Sequence, residues 1–231
     1  RQLGSDPSVN GGAGTDTIQM SSGDVDVIFE DTDFSKVREV EALDFAGEGR
    51  QKVTLGTQTN AAFSSSAGLT VTTSTTAESL TLEGALSSVV INATGTENAD
   101  TIIGGSANDI ITGGEGVDSL VGGGGDDLFR FVSGDQLAED ALVEGDGDVN
   151  TISITEEDLT IVDEDFTNAS NIQTLVLTGA SSAVLGTTAS AAGITAVVTG
   201  DGNTSIVCGC AARRHAGTHT RTHARVTIAG L

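Results

Sequence analysis

GTENADTII (95–103), GGSANDIIT (104–112), GGEGVDSLV (113–121) and GGGGDDLFR (122–130) follow one another without a break. Aspartate stands sixth in every copy, as Asp100, Asp109, Asp118 and Asp127, and a large apolar residue stands eighth, as Ile102, Ile111, Leu120 and Phe129. Four copies in phase are hard to obtain by chance. Self-similarity at a fixed short period marks a stacked architecture, in which each copy buries its apolar residue only against its neighbours.

The pattern G-G-x-G-x-D-x-U-x resembles the calcium-binding nonapeptide of RTX (repeats-in-toxin) proteins. The resemblance implies an all-β fold, a right-handed parallel β-solenoid or β-roll, with one turn and one short strand per nonapeptide. Two nonapeptides then complete a coil, so that Asp100 lies over Asp118 on one edge and Asp109 over Asp127 on the other. It also implies a cofactor, Ca²⁺, held between stacked carboxylates that would otherwise repel. Such an ion takes six to eight hard oxygen ligands at about 2.3–2.6 Å, some of them turn carbonyls. The candidate metal residues are these four aspartates with the turn glycines Gly104, Gly113, Gly116, Gly122 and Gly125, whose freedom at positive φ brings carbonyls toward the ion. The bland alternative is a glycine-rich turn whose Asp bonds its own backbone.

The copies are unequal. GGEGVD and GGGGDD keep all three turn glycines, whereas Ala107, Thr96 and Asn98 replace glycines in the first two. Asn tolerates positive φ better than most residues, so Asn98 is expected there. The edge carrying Asp100 is the weaker of the two.

Composition agrees with a thin core. The 231 residues include 31 Gly and 7 Phe, a single Pro, no Trp and no Tyr. All 33 acidic residues lie within the first 201 positions and the formal charge is −23, which argues against nucleic acid as a partner. It fits a chain kept expanded by self-repulsion until cations neutralise it. No run of 18 apolar residues is present, so no membrane-spanning helix is expected. The chain opens on Arg1 without a charged-then-apolar stretch, so no signal peptide is expected in it, and cysteine is absent before Cys208. RTX proteins are similarly cysteine-poor and leave the cell unfolded by type I secretion, so the resemblance implies a location outside the cell or on its surface. The start at Arg1 and the lack of a recognisable end suggest a segment of a longer polypeptide.

The flanks of the nonapeptides resemble each other at a separation of about 130 residues. Asp16-Thr17-Ile18 matches Asn150-Thr151-Ile152, Asp33-Phe34 matches Asp165-Phe166, and Val40-Glu41-Ala42-Leu43 matches Ile172-Gln173-Thr174-Leu175. Ala67-Gly68-Leu69-Thr70 matches Ala192-Gly193-Ile194-Thr195. The chain is thus divided into solenoid unit A (1–92), the nonapeptides (93–133), solenoid unit B (134–207) and an aberrant basic tail (208–231). Short β-rich runs are expected as strands at 25–29, 40–45, 52–55, 69–73, 78–82, 89–92 and 159–162. A helical turn or corner is expected at 35–40. LAEDALV (137–143) is the candidate for one short helix breaking the coil, and no 10-residue amphipathic stretch is visible. GGAGTD (11–16) is an isolated RTX-like turn, which makes Asp16 a further candidate calcium ligand, although Pro7 nine residues earlier leaves it without an in-phase neighbour. GDGDVN (145–150) is a degenerate copy with Asn150 in the Asp place.

The tail holds both cysteines and all three histidines, with no acid after Asp201. Cys208, Cys210, His215, His219 and His223 mimic a zinc cluster at a spacing that matches no zinc pattern. An out-of-frame or chimeric end without function is the preferred reading.

Three function classes follow. The first is an extracellular, calcium-stabilised structural protein: a surface-layer, sheath, filament or adhesin segment whose partners are copies of itself and cell-surface polysaccharide. The second is the carrier domain of a secreted RTX enzyme. Neither His-Glu-x-x-His nor Gly-x-Ser-x-Gly occurs, so no catalysis is expected within these residues. The third is ice or carbohydrate binding by the threonine-rich run LTVTTSTT (69–76).

Overall fold

The computed structural model describes residues 8–21, 23–63, 68–155, 160–178, 182–200, 205–208 and 225–227. Successive strands alternate between two stacks, and each strand pairs in parallel with the strand one coil further on. The long sheet has ten strands: Thr17–Met20, Ala42–Phe45, Leu69–Thr73, Ile91–Thr94, Ile110–Thr112, Leu128–Phe131, Thr151–Ile154, Thr174–Leu177, Ala196–Thr199 and Arg225–Thr227. Seven strands form the opposite sheet: Val27–Phe29, Gln51–Thr54, Leu80–Glu83, Thr101–Ile103, Ser119–Val121, Leu142–Glu144 and Ala169–Ser170. A three-stranded sheet (Thr160–Ile161, Ser182–Leu185, Ser205–Cys208) takes over where the seven-stranded one ends, and a parallel pair, Val9–Asn10 with Val37–Arg38, lies at the start. This is a parallel β-solenoid.

Alternation along each short strand sets the core. Ile102, Ile111, Leu120 and Phe129 are all fully buried and stack as inward rows, with Val143 and Ile152 continuing them. The nonapeptide coils are two-sided and narrow. Unit A is wider: Phe29, Phe34, Phe45 and Phe63 fill it, with ring centroids at 6.0 Å (Phe29–Phe34), 6.3 Å (Phe29–Phe45) and 5.3 Å (Phe34–Phe63). Edge-to-face and offset pairs of this kind add to simple burial.

The width comes from a third side of short helical pieces. The corner expected at 35–40 lies earlier, as a 3₁₀ turn at Asp31–Lys36, and Val37–Arg38 is a strand. Instead of one short helix there are three among the described residues: Thr57–Ala62, Gly134–Glu139 and Thr187–Ala192. The second covers the start of LAEDALV, whose Leu142–Glu144 end is a strand. The other two are capped from another coil. The Asp31 carboxylate accepts from the N–H groups of Gln58 (3.1 Å) and Thr59 (2.9 Å) and from Thr59 Oγ1 (2.7 Å). Asp163 accepts from Gly186 (2.6 Å), Thr188 (3.0 Å) and Ala189 (2.9 Å). These bonds satisfy N–H groups that a helix start leaves unpaired. Burial alone would raise both carboxyls, but the hydrogen bonds outweigh it and hold them below the usual carboxylate range.

The tail is not wholly apart from the fold. Arg225–Thr227 pairs antiparallel with Ala196–Thr199, the one antiparallel pairing among the described residues, and Cys208 ends the strand Ser205–Cys208. Cys210, His215, His219 and His223 lie outside the described residues.

Candidate calcium site

The turns between the sheets stack into two edges. Turns 95–100 and 113–118 form one, and turns 104–109, 122–127 and 145–150 form the other. Thr101 pairs with Ser119 and Ile110 with Leu128, so each coil of the roll is 18 residues. Each aspartate reaches back along its edge to the main chain of the previous coil. Asp118 Oδ1 accepts from the Asp100 N–H at 2.9 Å, and Asp127 Oδ1 from the Asp109 N–H at 2.8 Å. At the far ends, Asp100 Oδ1 accepts from Leu80 (2.5 Å) and Asp109 Oδ1 from Ile91 (2.7 Å). The four carboxyls are between 1 % and 3 % exposed.

The main chain of the turns closes in on these carboxyls. A side chain on Gly95 or Gly104 would overlap the carbonyl oxygen of Gly113 or Gly122, and one on Gly114 would overlap that of Thr96. Gly114 and Gly116 have φ of +117° and +104°, and Gly123 and Gly125 do likewise. Asn98 does not: no positive φ falls in turns 95–100 or 104–109, contrary to the expectation for Asn98. The Thr96 hydroxyl instead braces that turn, donating toward Asp100 Oδ1 at 3.1 Å while the Thr96 N–H donates to Oδ2 at 2.6 Å.

The ladder is charged and has no internal counter-charge. Ion pairs among the described residues include Arg50 with Asp26 and Glu78, and Lys52 with Glu83, all within the first 92 residues and away from the ladder. Burial is the main force raising the aspartates. It lifts Asp109 to about 6 against N–H bonds from Gly105 and Ile91, and Asp118 to about 6 with the Asp100 charge adding to it. Asp127 rises to about 7, burial again leading, with Asp109, Asp126 and Asp148 contributing repulsion. Asp100 is raised for the same reason. Asp127 Oδ2 is buried with no hydrogen-bond partner.

No three His, Cys, Asp or Glu side chains converge on one point among the described residues. Carboxylates alone therefore do not make a metal site, and main-chain carbonyls must supply the other oxygens. Paired carboxylates, crowded turn carbonyls and an orphaned buried Oδ2 fit a hard divalent cation such as Ca²⁺. Asp100 with Asp118, and Asp109 with Asp127, would hold it. Its contribution is charge neutralisation and cross-linking of coils.

Asp16 has the neighbour that its sequence position did not reveal. Its N–H donates to Glu41 Oε2 at 2.9 Å, from the next coil, and its Oδ2 is buried without a partner. In unit B the Asn150 N–H donates to Gln173 Oε1 at 2.7 Å. Glu39 and Asn171, at matching places, have φ of 53° and 55°. Two residues escaped the motif altogether. Asp140 continues the ladder, its Oδ1 accepting from the Asp118 N–H at 3.1 Å, and Gln136 donates through Nε2 to the Gly114 carbonyl. Asp140 precedes the buried Val143 much as Asp118 precedes Leu120, but with one residue more between them.

Parallel coils with buried, stacked turn aspartates are consistent with an RTX β-roll. Residues 94–129 match the family model of the RTX calcium-binding nonapeptide repeat in four copies, so this stretch is an RTX repeat. No curated protein and no solved structure matches the chain. No helix among the described residues is long and apolar enough to cross a membrane.

Proposed function

We propose that the chain is an extracellular structural protein, a segment of a surface layer, filament, sheath or adhesin, that calcium stiffens and that then assembles end to end. The calcium ligands are Asp100, Asp109, Asp118 and Asp127 with their turn carbonyls, and Asp16 marks a further site in unit A. The flanks act as two copies of one solenoid unit, joined through the roll. The observation that carries assembly is the state of the sheet ends. Thr17–Met20 and Val27–Phe29 are unpaired on their outer sides among the described residues, and Ile28 in the second is 62 % exposed. Such strand edges are templates for another chain.

Among the described residues Arg225–Thr227 occupies the last edge of the long sheet. Among the described residues Ser205–Cys208 is the edge strand that closes the three-stranded sheet at that end. Contact is therefore placed between Ser205–Cys208 of one copy and Val27–Phe29 of the next, a heterologous join that grows as an open filament unless its rotation closes. Cell-surface polysaccharide is the second partner in this reading. Light scattering and electron microscopy with and without millimolar calcium test it. Calcium-dependent filaments or sheets are expected. A compact, monodisperse monomer at high calcium would overturn assembly and favour the carrier domain of a secreted enzyme.

A further inference from the structure

The two edges of the roll end differently. On one, the ladder passes from Asp127 to Asn150, which is fully buried. Asn150 Oδ1 accepts from the Asp127 N–H at 2.9 Å, and its Nδ2 donates to the carbonyls of Asp146 (3.2 Å) and Asn171 (3.1 Å). Every polar atom of that amide has a partner, and an N–H stands between two carbonyl oxygens. No cation is called for there.

On the other edge the ladder passes from Asp118 to Asp140, 1 % exposed. Asp140 Oδ1 accepts from the Asp118 N–H at 3.1 Å, the same bond that Asn150 makes. Its second atom is an oxygen where Asn150 has a nitrogen, and this Oδ2 is buried with no partner. A buried acceptor without a donor is costly, and a buried carboxylate more so. The carbonyls nearby are already engaged: Gln136 Nε2 bonds Gly114 O, and Asn168 Nδ2 bonds Asp140 O at 2.7 Å. What is missing is positive charge beside two carboxylates.

We propose that Asp118 and Asp140 hold a further divalent cation, one coil beyond the nonapeptide repeats, which pins the helix Gly134–Glu139 to the roll. Other carbonyls of turn 113–118 and water complete its shell. The proposal rests on the reading that the roll binds calcium and adds to it an ion whose second carboxylate lies outside residues 94–129. Occupancy thus runs one coil further on the Asp118 edge than on the edge that Asn150 closes.

Calcium bound per full-length chain, counted by equilibrium dialysis and elemental analysis, tests this with Asp140→Asn, which copies the Asn150 amide. The variant is expected to bind one ion fewer than the wild type and to keep the rest. An unchanged count and affinity would overturn the proposal and leave a proton on Asp140, with the nonapeptide sites untouched. A wild type that binds no calcium overturns both readings. Should Asp140→Asn fail to fold, hydrogen exchange of the wild type decides. Between calcium just sufficient to fold the chain and saturating calcium, the amides of 134–140 should slow at least tenfold, and exchange unaffected at these positions while the nonapeptide turns are protected would overturn the proposal.

Discussion

The N–H of Asp109 donates to Oδ1 of Asp127 at 2.8 Å, 18 residues ahead in sequence and one coil away in space. One carboxylate oxygen thus positions the neighbouring turn while the other, Oδ2, is left buried without a partner. A backbone bracket and the proposed cation ligand are combined in a single side chain.

Asp127→Ala is therefore expected to weaken calcium binding more than Asp100→Ala. Asp100 already has both oxygens engaged, by Leu80 on one side and Thr96 on the other. The Asp100 change should instead show as a lower melting temperature at saturating calcium. Calcium titrations of the two variants that coincide would reverse the ranking.

Chelation should unfold the roll. With an extracellular-type affinity of about 0.1 mM and about 10 mM calcium, each site stabilises the fold by roughly 2.7 kcal/mol. Two to four sites then rival the roughly 5–15 kcal/mol that holds a typical domain together. Circular dichroism in excess chelator is expected to lose β signal and to regain it on adding calcium; a spectrum indifferent to chelator refutes the prediction.

The pH response should change sign with calcium. Burial raises Asp109 and Asp118 to about 6, and Asp127 and Asp140 to about 7, from 3.8. The folded chain then holds protons that the unfolded chain has released, so calcium-free stability falls as pH rises from about 4 to about 7. Calcium binds the ionised form and competes with those protons. In chelator the residual β signal should be greater at pH 5 than at pH 8, and in millimolar calcium the melting temperature should be higher at pH 8 than at pH 5. The same order in both media would count against carboxylate ligation.

Glycines in one roll differ in what they tolerate. Gly114 has φ +117° and lies against the Thr96 carbonyl, so Gly114→Ala should destabilise the chain by more than about 1 kcal/mol. Gly124 has no such φ, and a side chain there meets nothing closer than the Ser106 Cα at 3.6 Å. Gly124→Ala is expected to be neutral or to stabilise by about 0.4–1 kcal/mol. Chemical denaturation of both variants in calcium checks the contrast.

What the sequence made legible was whatever repeats at short range. Nine-residue spacing located Asp100, Asp109, Asp118 and Asp127 and their pairing, and alternation located strands such as Leu69–Thr73. The helices Thr57–Ala62 and Thr187–Ala192 were hidden because their caps, Asp31 and Asp163, sit 28 and 26 residues before Thr59 and Ala189. Glu41 was hidden as the partner of Asp16 for the same reason, at a separation of 25 residues. Asp140 was missed because the helix before it breaks the nonapeptide phase. The threonine run proved partly structural: Thr72 Oγ1 donates to Asp44 Oδ1 at 3.0 Å, whose other oxygen accepts from Gln19 at 2.7 Å.

The alternation of strands between the two sheets gives the roll a parity. An even number of nonapeptides, four here, returns the chain to the face from which it left, so Ile91–Thr94 and Thr151–Ile154 share the long sheet. Gaining or losing one nonapeptide would send everything downstream to the opposite face, turning its aspartates onto the wrong edge and separating Asn150 from Asp127. Gaining or losing two would change only the length. Copy number in this protein is therefore free to vary in steps of 18 residues, the length of one coil, and is forbidden the half-step between.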